Sequence, residues 1–249
     1  MSYFVVFIKT LESRVFYLNE IILENVSLVF QGLFSIFLGI YLNNVNPVFS
    51  SMNELLIYYF FGNAIINSFQ RGNVAREIER EVISGNINVH LVKPYDFVVY
   101  MLLKFFSHKV YKAIINALIF FFILNLIASF TIPLEFLLRA LLVIPFAVLF
   151  MFLNNSIFCY LSLIFEKLGR LNSMYSMLSY FIGGGLVSVK YFPSIVKLIP
   201  QFFFFGAPLE YIIGGTFPYF GLFVFYLAFF IFLNLIIRKF VYKRLESNG

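Results

Sequence analysis

Long apolar stretches with almost no charge follow one another through most of this 249-residue sequence. A helix needs about 20 mainly apolar residues to cross the roughly 30 Å hydrocarbon core of a bilayer. Six stretches qualify: Ile21–Leu42, Leu55–Phe69, Ala113–Phe130, Ala140–Phe165, Leu171–Val189 and Phe217–Ile237. The second is short, and serines and three consecutive glycines dilute the fifth. The sequence therefore predicts an all-α polytopic membrane protein with six transmembrane helices.

The scarcity of charge excludes several classes of protein. Hydrophobic residues make up 61% of the chain and charged residues only 12%, whereas soluble proteins carry about 25% charge. A soluble enzyme, a nucleic-acid-binding protein and a disordered protein are therefore poor fits. A single cysteine rules out a disulfide framework, and two histidines leave little for metal binding.

The N-terminal residues 1–20 have the pattern of an interfacial helix. Apolar residues recur there at intervals of three and four, with Lys9 and Arg14 between them. A helix with basic residues opposite apolar ones lies in the headgroup plane of a membrane. The sequence predicts such a helix leading into the first span.

The basic residues predict the orientation of the spans. With six crossings, only Arg139, Lys190 and Lys197 fall on one side, and the other fifteen of the 18 lysines and arginines fall on the opposite side. Cytoplasmic loops carry the lysine and arginine excess. Both termini are therefore predicted in the cytoplasm, and the net charge of +6 is explained without nucleic acid.

Few residues in the predicted spans are ionisable and could take part in proton or ion transfer. Glu20 and Glu24 lie near the start of the first span, and Glu135 and Arg139 are spaced to pair at a helix end. A proton or sodium relay needs an ionisable group within the membrane, and no carboxylate occurs near mid-membrane. The sequence also lacks a G-x-x-x-x-G-K-[ST] phosphate-binding loop. Any uphill transport would draw its energy from outside this chain.

Uncharged polar residues and a glycine triplet interrupt the predicted spans. Asn63, Asn67, Asn154 and Asn155 either line a substrate path or make interhelical hydrogen bonds, which contribute about 1 kcal/mol each. The hydrogen-bonding interpretation is favoured for each asparagine taken singly. Gly183, Gly184 and Gly185 allow close helix packing or form a hinge, and the sequence does not separate these alternatives.

The polar segment 70–112 contains a predicted amphipathic helix. Val74, Ile78 and Val82 recur at intervals of four between charged residues, and Gly85 supplies a helix stop. The helix could lie along lipid headgroups or dock into a groove on a cytoplasmic partner. Glu77, Glu79 and Glu81 disfavour the lipid interpretation, since anionic headgroups would repel them.

Two residue patterns resemble the ABC-2-type permeases of ATP-binding-cassette transporters. The first pattern consists of Val82, Gly85, Ile87, Leu91, Lys93 and Pro94. The second consists of Gly184, Phe192, Pro193, Pro200, Pro208 and Gly214. The chain departs from the second pattern at Ser188, where many members of this family carry proline.

The resemblance implies a permease that works with other subunits. It implies pairing with a second permease chain, as a homodimer or heterodimer, and a separate ATP-binding subunit that holds ATP and Mg. This chain itself would have no cofactor and no enzymatic activity. A coupling helix at about Val74–Ser84 would contact the ATP-binding subunit. The implied contact residues are Glu77, Ile78, Glu79, Arg80, Glu81, Val82, Gly85, Leu91, Lys93 and Pro94.

The expected organisation is a single permease domain over residues 1–249. Its segments are the interfacial helix (1–20), spans one and two (21–69), the cytoplasmic coupling loop (70–112), spans three to five (113–189), an outer segment of short re-entrant helices (190–216), span six (217–237) and a cytoplasmic tail (238–249).

Three functions are open at the level of sequence. The leading hypothesis is the transmembrane subunit of an exporter in the cell membrane, which moves a hydrophobic or amphipathic drug, peptide or lipid. The alternatives are an ion-coupled secondary transporter, which would need the ionisable group noted above, and a membrane assembly or immunity factor that transports nothing.

Overall fold

A computed structural model describes residues 18–70, 74–91, 95–165, 168–193, 196, 206–215 and 220–248. The predicted interfacial helix lies outside these residues except for 18–20. In chain order the helices are α1 (Leu18–Val45), α2 (Met52–Tyr59), a π-helical segment (Phe60–Ile66), α3 (Asn67–Gln70), α4 (Val74–Ile83), α5 (Ile87–Leu91), α6 (Phe97–Ala128), α7 (Leu134–Leu161), α8 (Leu168–Ile182), a 3-10 turn (Val189–Tyr191), α9 (Gly206–Gly214) and α10 (Phe220–Asn248). The described part of the chain has no strand, so the predicted all-α class is confirmed.

Four of the described helices are long and apolar enough to cross a membrane: Val26–Val45, Phe97–Ala128, Leu134–Leu161 and Val224–Leu245. They correspond to the first, third, fourth and sixth predicted spans. The second predicted span is divided among α2, the π-helical segment and α3. The fifth, α8, has 15 residues and is only about 22 Å long, too short for a 30 Å layer. Crossings by these two segments stay predictions.

Helix α6 begins much earlier than its predicted span. Asp96 caps its N-terminus by accepting a hydrogen bond from the Val99 backbone N–H at 3.1 Å, an arrangement typical of a helix start. Hydropathy placed the boundary at Ala113 because Lys104, Lys109 and Lys112 interrupt the apolar run. Residues 97–112, expected within the coupling loop, are therefore the first half of a continuous helix.

The buried core of the bundle forms around residues 52–70, the segment that follows α1 and comprises α2, the π-helical segment and α3. Leu55, Ile57 and Tyr59 of this segment are completely buried. The long helices instead expose large apolar side chains, such as Phe30 on α1 and Leu126 on α6. The central segment thus forms the core, and the outer helices present the apolar surface that a bilayer covers.

One end of the bundle, here the α9 end, is formed by α9 and the segments 46–51, 129–133 and 183–193. Lys190 Nζ lies 2.8 Å from Glu54 Oε1 in an ion pair. Burial raises the pKa of Glu54, but hydrogen bonds from Lys190 and Ser50 and the Lys190 charge outweigh this effect and leave the pKa below its ordinary value. The Tyr58 hydroxyl donates to the Gly184 carbonyl at 2.9 Å. These contacts tie the segment after α8 to α2.

The glycine triplet lies in this end of the molecule. Gly184 has φ +96°, and a Cβ there would lie 2.6 Å from the Tyr58 hydroxyl oxygen. Both a left-handed backbone and the lack of space therefore favour glycine at this position. Close packing accounts for Gly184, and a hinge at residues 183–185 stays a prediction.

Candidate functional site

The opposite end of the bundle, here the α4 end, is formed by α4, α5, the starts of α6 and α8 and the last turns of α7 and α10. Helix α4 contacts α6, α7 and α8. Its residues Val74, Ala75 and Ile78 are completely buried. The amphipathic helix expected from the spacing of apolar residues is therefore present, and its apolar side packs against three neighbouring helices.

The charged residues of α4 point in two directions. Glu77 and Arg80 are exposed to solvent, and Glu81 is half-buried. Glu79 instead faces α8, and its Oε1 accepts a hydrogen bond from the Gly169 backbone N–H at 2.5 Å. Negative charge is favourable at the start of a helix. Among the predicted contact residues, Glu77 and Arg80 are accessible to another protein, whereas Ile78 and Glu79 hold α4 to this chain.

Gly169 allows α4 and α8 to approach closely. A Cβ at this position would lie 2.9 Å from Cα of Arg76, which is backbone and cannot swing away. Because the side chain of Glu79 lies on the same side at 3.0 Å, an added methyl group would push the two helices apart.

We expect Gly169→Ala to destabilise the protein by about 1–3 kcal/mol, the usual cost of overpacking a fixed interior. The measurement is thermal unfolding of the purified protein in detergent. Gly221→Ala in α10 is the matched control, because its Cβ would meet nothing within 4 Å and alanine favours a helix. Equal melting temperatures for the two variants would contradict the packing of α4 on α8.

The turn after α4 presents apolar side chains to solvent. Gly85 has φ +75°, with nothing within 4 Å of its Cβ position. Ile83 and Val89, on either side of it, are 74% and 64% exposed. Neither residue is among the predicted contact residues, and Ile83 falls outside the four-residue spacing of Val74, Ile78 and Val82. The side chain of Leu91, and Lys93 and Pro94, lie outside the described part.

Asp96 connects three helices at this end of the molecule. Its Oδ1 caps α6, and its Oδ2 accepts a hydrogen bond from the Tyr160 hydroxyl of α7 at 2.8 Å. The same Oδ2 lies 3.0 Å from Nε of Arg238 on α10, with the Asp96 side chain only 5% exposed. Its position just before an apolar run is an N-cap signal, but its partners on α7 and α10 are too distant in sequence to be found from a local pattern.

The four predicted path asparagines are all buried. Asn63 Oδ1 accepts a hydrogen bond from the Tyr180 hydroxyl at 2.7 Å, and Asn155 Oδ1 accepts one from Asn172 Nδ2 at 3.2 Å. Both bonds join different helices, so the interhelical interpretation is confirmed for Asn63 and Asn155. Asn67 and Asn154 are 2% and 6% exposed, and a substrate path along these residues stays a prediction.

Clusters of side chains that could hold a metal ion do not occur in the described ranges. No cluster of three or more His, Cys, Asp or Glu side chains occurs within them. Cys159 is buried.

At the α4 end, helix α4 thus packs against three other helices and leaves Glu77 and Arg80 exposed. A model of the family described as "ABC-2 family transporter protein" matches residues 28–249. No curated protein matches the sequence.

Proposed function

Because the chain belongs to the ABC-2 family of transporter proteins, we propose that it is the transmembrane permease subunit of an ATP-driven exporter in the cell membrane. The chain is a multi-pass membrane protein of an ABC transporter. The α4 end faces the cytoplasm and binds a separate ATP-binding subunit, which carries ATP and Mg. Two permease chains pair, and each crosses the membrane six times.

The observation that carries this proposal is the division of α4 into two faces. Val74, Ala75 and Ile78 fix the helix to the ends of α6, α7 and α8, while Glu77 and Arg80 face solvent. A protein that binds the outer face and moves would displace three packed helices together, since packed interfaces transmit rigid-body shifts. That is the connection an ATP-driven permease requires.

The distribution of charge supports the proposed orientation. Among the described residues, Lys190 and Arg139 are the basic side chains at the α9 end. The α4 end holds more of them, including Arg80, Arg170 and Arg238. Basic residues are more numerous at the α4 end, as expected for the cytoplasmic side.

An ion-coupled transporter is less well supported. The one buried acidic side chain among those described is Asp96, which caps a helix at the end of the bundle. Lys109 and Lys112 are 3% and 4% exposed, but their distance from Ala128 along α6 is about 24–29 Å. They therefore lie near one surface of the 30 Å layer and not in its middle.

The test is to search for an ATP-binding subunit encoded beside this chain and to reconstitute the two proteins together. We expect co-purification and ATP-dependent movement of a hydrophobic or amphipathic compound out of the compartment that corresponds to the cytoplasm. Transport by this chain alone with an ion gradient would indicate the secondary transporter. No movement under any energy source would indicate the assembly or immunity factor.

Variants for this test should change exposed residues of α4 and leave its buried residues unchanged. Removal of Val74–Ser84 would also remove the buried residues of α4, and Glu79→Arg would break its bond to Gly169. Either variant would therefore perturb folding together with partner binding. Substitutions at Glu77, Arg80 and Ile83 leave the buried face of α4 intact.

A further inference from the structure

The outer face of α10 carries a line of large side chains that ends in two lysines. Its members follow one another at alternating intervals of four and three residues, which places them on one face of a helix. In chain order they are Phe225, Phe229, Phe232, Ile236, Lys239 and Lys243. The four apolar members are 47–63% exposed, and both lysines are exposed. This line is here called the α10 stripe.

The opposite face of α10 packs against the protein. Val241 is completely buried, and the centroid of the Phe230 ring lies 4.8 Å from that of Phe150 on α7. Arg238 is on this side as well, paired with Asp96. The helix is therefore held by one face, and the α10 stripe is the face that it leaves exposed.

The length of the α10 stripe matches the apolar layer of a bilayer. Lys239 and Lys243 lie about 21 and 27 Å along the helix from Phe225, and the hydrocarbon core is about 30 Å thick. Lysine side chains lie along apolar surface while their ammonium groups extend to the headgroups. With lipid tails over the four apolar residues, both ammonium groups reach the phosphate level of one leaflet.

The charge of the stripe is positive at this level. In the described part of the chain, neither Lys239 nor Lys243 takes part in an ion pair. The next acidic residue, Glu246, follows Lys243 by almost one turn of α10 and so lies farther from the apolar part of the stripe. Basic residues beside a membrane span attract anionic headgroups.

We propose that the α10 stripe binds an anionic phospholipid. The lipid tails lie along the four apolar side chains, and the phosphate contacts Lys239 and Lys243, which are one helical turn apart. The proposal requires that α10 crosses the bilayer, for which Val224–Leu245 is long and apolar enough. It does not depend on the proposed transport function.

A second copy of this chain fits the α10 stripe less well than a lipid does. In a symmetric pair the same surface of both chains meets, so each lysine would face its own counterpart. Like charges brought together at an interface are unfavourable. An acidic protein in the cytoplasm would match the lysines but would leave the four apolar side chains uncovered. An anionic lipid matches both parts of the stripe.

Lipid binding to the purified permease in detergent tests the proposal. The probes are phosphatidylglycerol, which is anionic, and phosphatidylcholine, which has no net charge, and native mass spectrometry measures their affinities. We expect the wild type to bind phosphatidylglycerol more tightly. Lys239→Gln combined with Lys243→Gln should weaken that binding by about 25-fold, since each basic residue near anionic headgroups contributes about five-fold in affinity. Equal wild-type affinities for the two lipids would overturn the proposal.

Lys104→Gln combined with Arg170→Gln is the matched control. It removes the same two charges from exposed positions outside the α10 stripe, and we expect its affinity for phosphatidylglycerol to stay within a few-fold of the wild type. Both double variants change exposed side chains and should keep the wild-type melting temperature. An equal loss of lipid affinity in both would overturn the proposal, because binding would then follow net charge alone. Unchanged lipid affinity in the stripe variant, with weaker binding of an ATP-binding subunit, would overturn it in favour of an acidic protein partner.

Discussion

Asp96→Ala will destabilise the protein more than any other single substitution considered for the α4 end. The variant loses the N-cap of α6, which is worth about 1 kcal/mol. It also leaves the Tyr160 hydroxyl without the acceptor 2.8 Å away, at a cost of about 1–3 kcal/mol for a buried donor. The expected loss in the free energy of unfolding is therefore about 2–4 kcal/mol, and thermal unfolding in detergent measures it.

Asp96→Asn separates the hydrogen bonds from the charge. Asparagine is an equally good N-cap residue. With its Oδ1 on the Val99 N–H, its Nδ2 takes the place of the second carboxylate oxygen and can donate to the Tyr160 hydroxyl oxygen, but it no longer pairs with Arg238. Because the Arg238 side chain is 49% exposed, water can solvate the freed cation, so the loss should be less than half of that in Asp96→Ala. A stability loss in Asp96→Asn as large as in Asp96→Ala would contradict this assignment of roles.

Arg238 links Asp96 to α10, whose principal neighbour in the described fold is α7. Under the proposed function, Asp96 is a positioning residue between the α4 end and the last helix. Asp96→Asn should then reduce transport for each ATP hydrolysed while the complex still assembles. A change in assembly alone would indicate a purely structural role.

The long helices could be predicted from sequence because hydropathy is a local property. The spans predicted at Ala113–Phe130 and Ala140–Phe165 follow from runs of apolar residues, and they fall largely within the observed helices α6 and α7. The early start of α6 could not be predicted by hydropathy, since three lysines interrupt the apolar run although they do not interrupt the helix. The π-helical segment depends on packing against α1 and α6, so no local pattern reports it.

The candidate site, like the fold, could be predicted from the sequence only where it depends on neighbouring residues. The spacing of Val74 and Ile78 indicated the buried side of α4, since amphipathic periodicity depends only on neighbouring residues. The direction of Glu79 depends on Gly169, 90 residues away, and could not be read from that spacing. The exposure of Ile83 depends on where α4 ends relative to its neighbours.

Ile83→Asp will weaken binding of the ATP-binding subunit by about 30-fold or more, because burying an isoleucine side chain is worth about 2 kcal/mol. Ile83 is 74% exposed beside the Gly85 turn, next to Arg80. Under the proposed function this end lies in the cytoplasm, where lipid does not cover the side chain and a partner groove would. Affinity of the purified permease for that subunit is the measurement.

Ile83→Val is the matched control, because valine keeps the apolar contact and should bind within a few-fold of the wild type. Neither substitution alters the buried residues Val74, Ala75 and Ile78, so both variants should keep the wild-type melting temperature. If Ile83→Asp is folded and binds with unchanged affinity, the turn after α4 is not the contact. The partner would then have to bind through other residues of this end, such as Glu77 and Arg80, where each solvent-exposed ion pair contributes only about 0–1 kcal/mol.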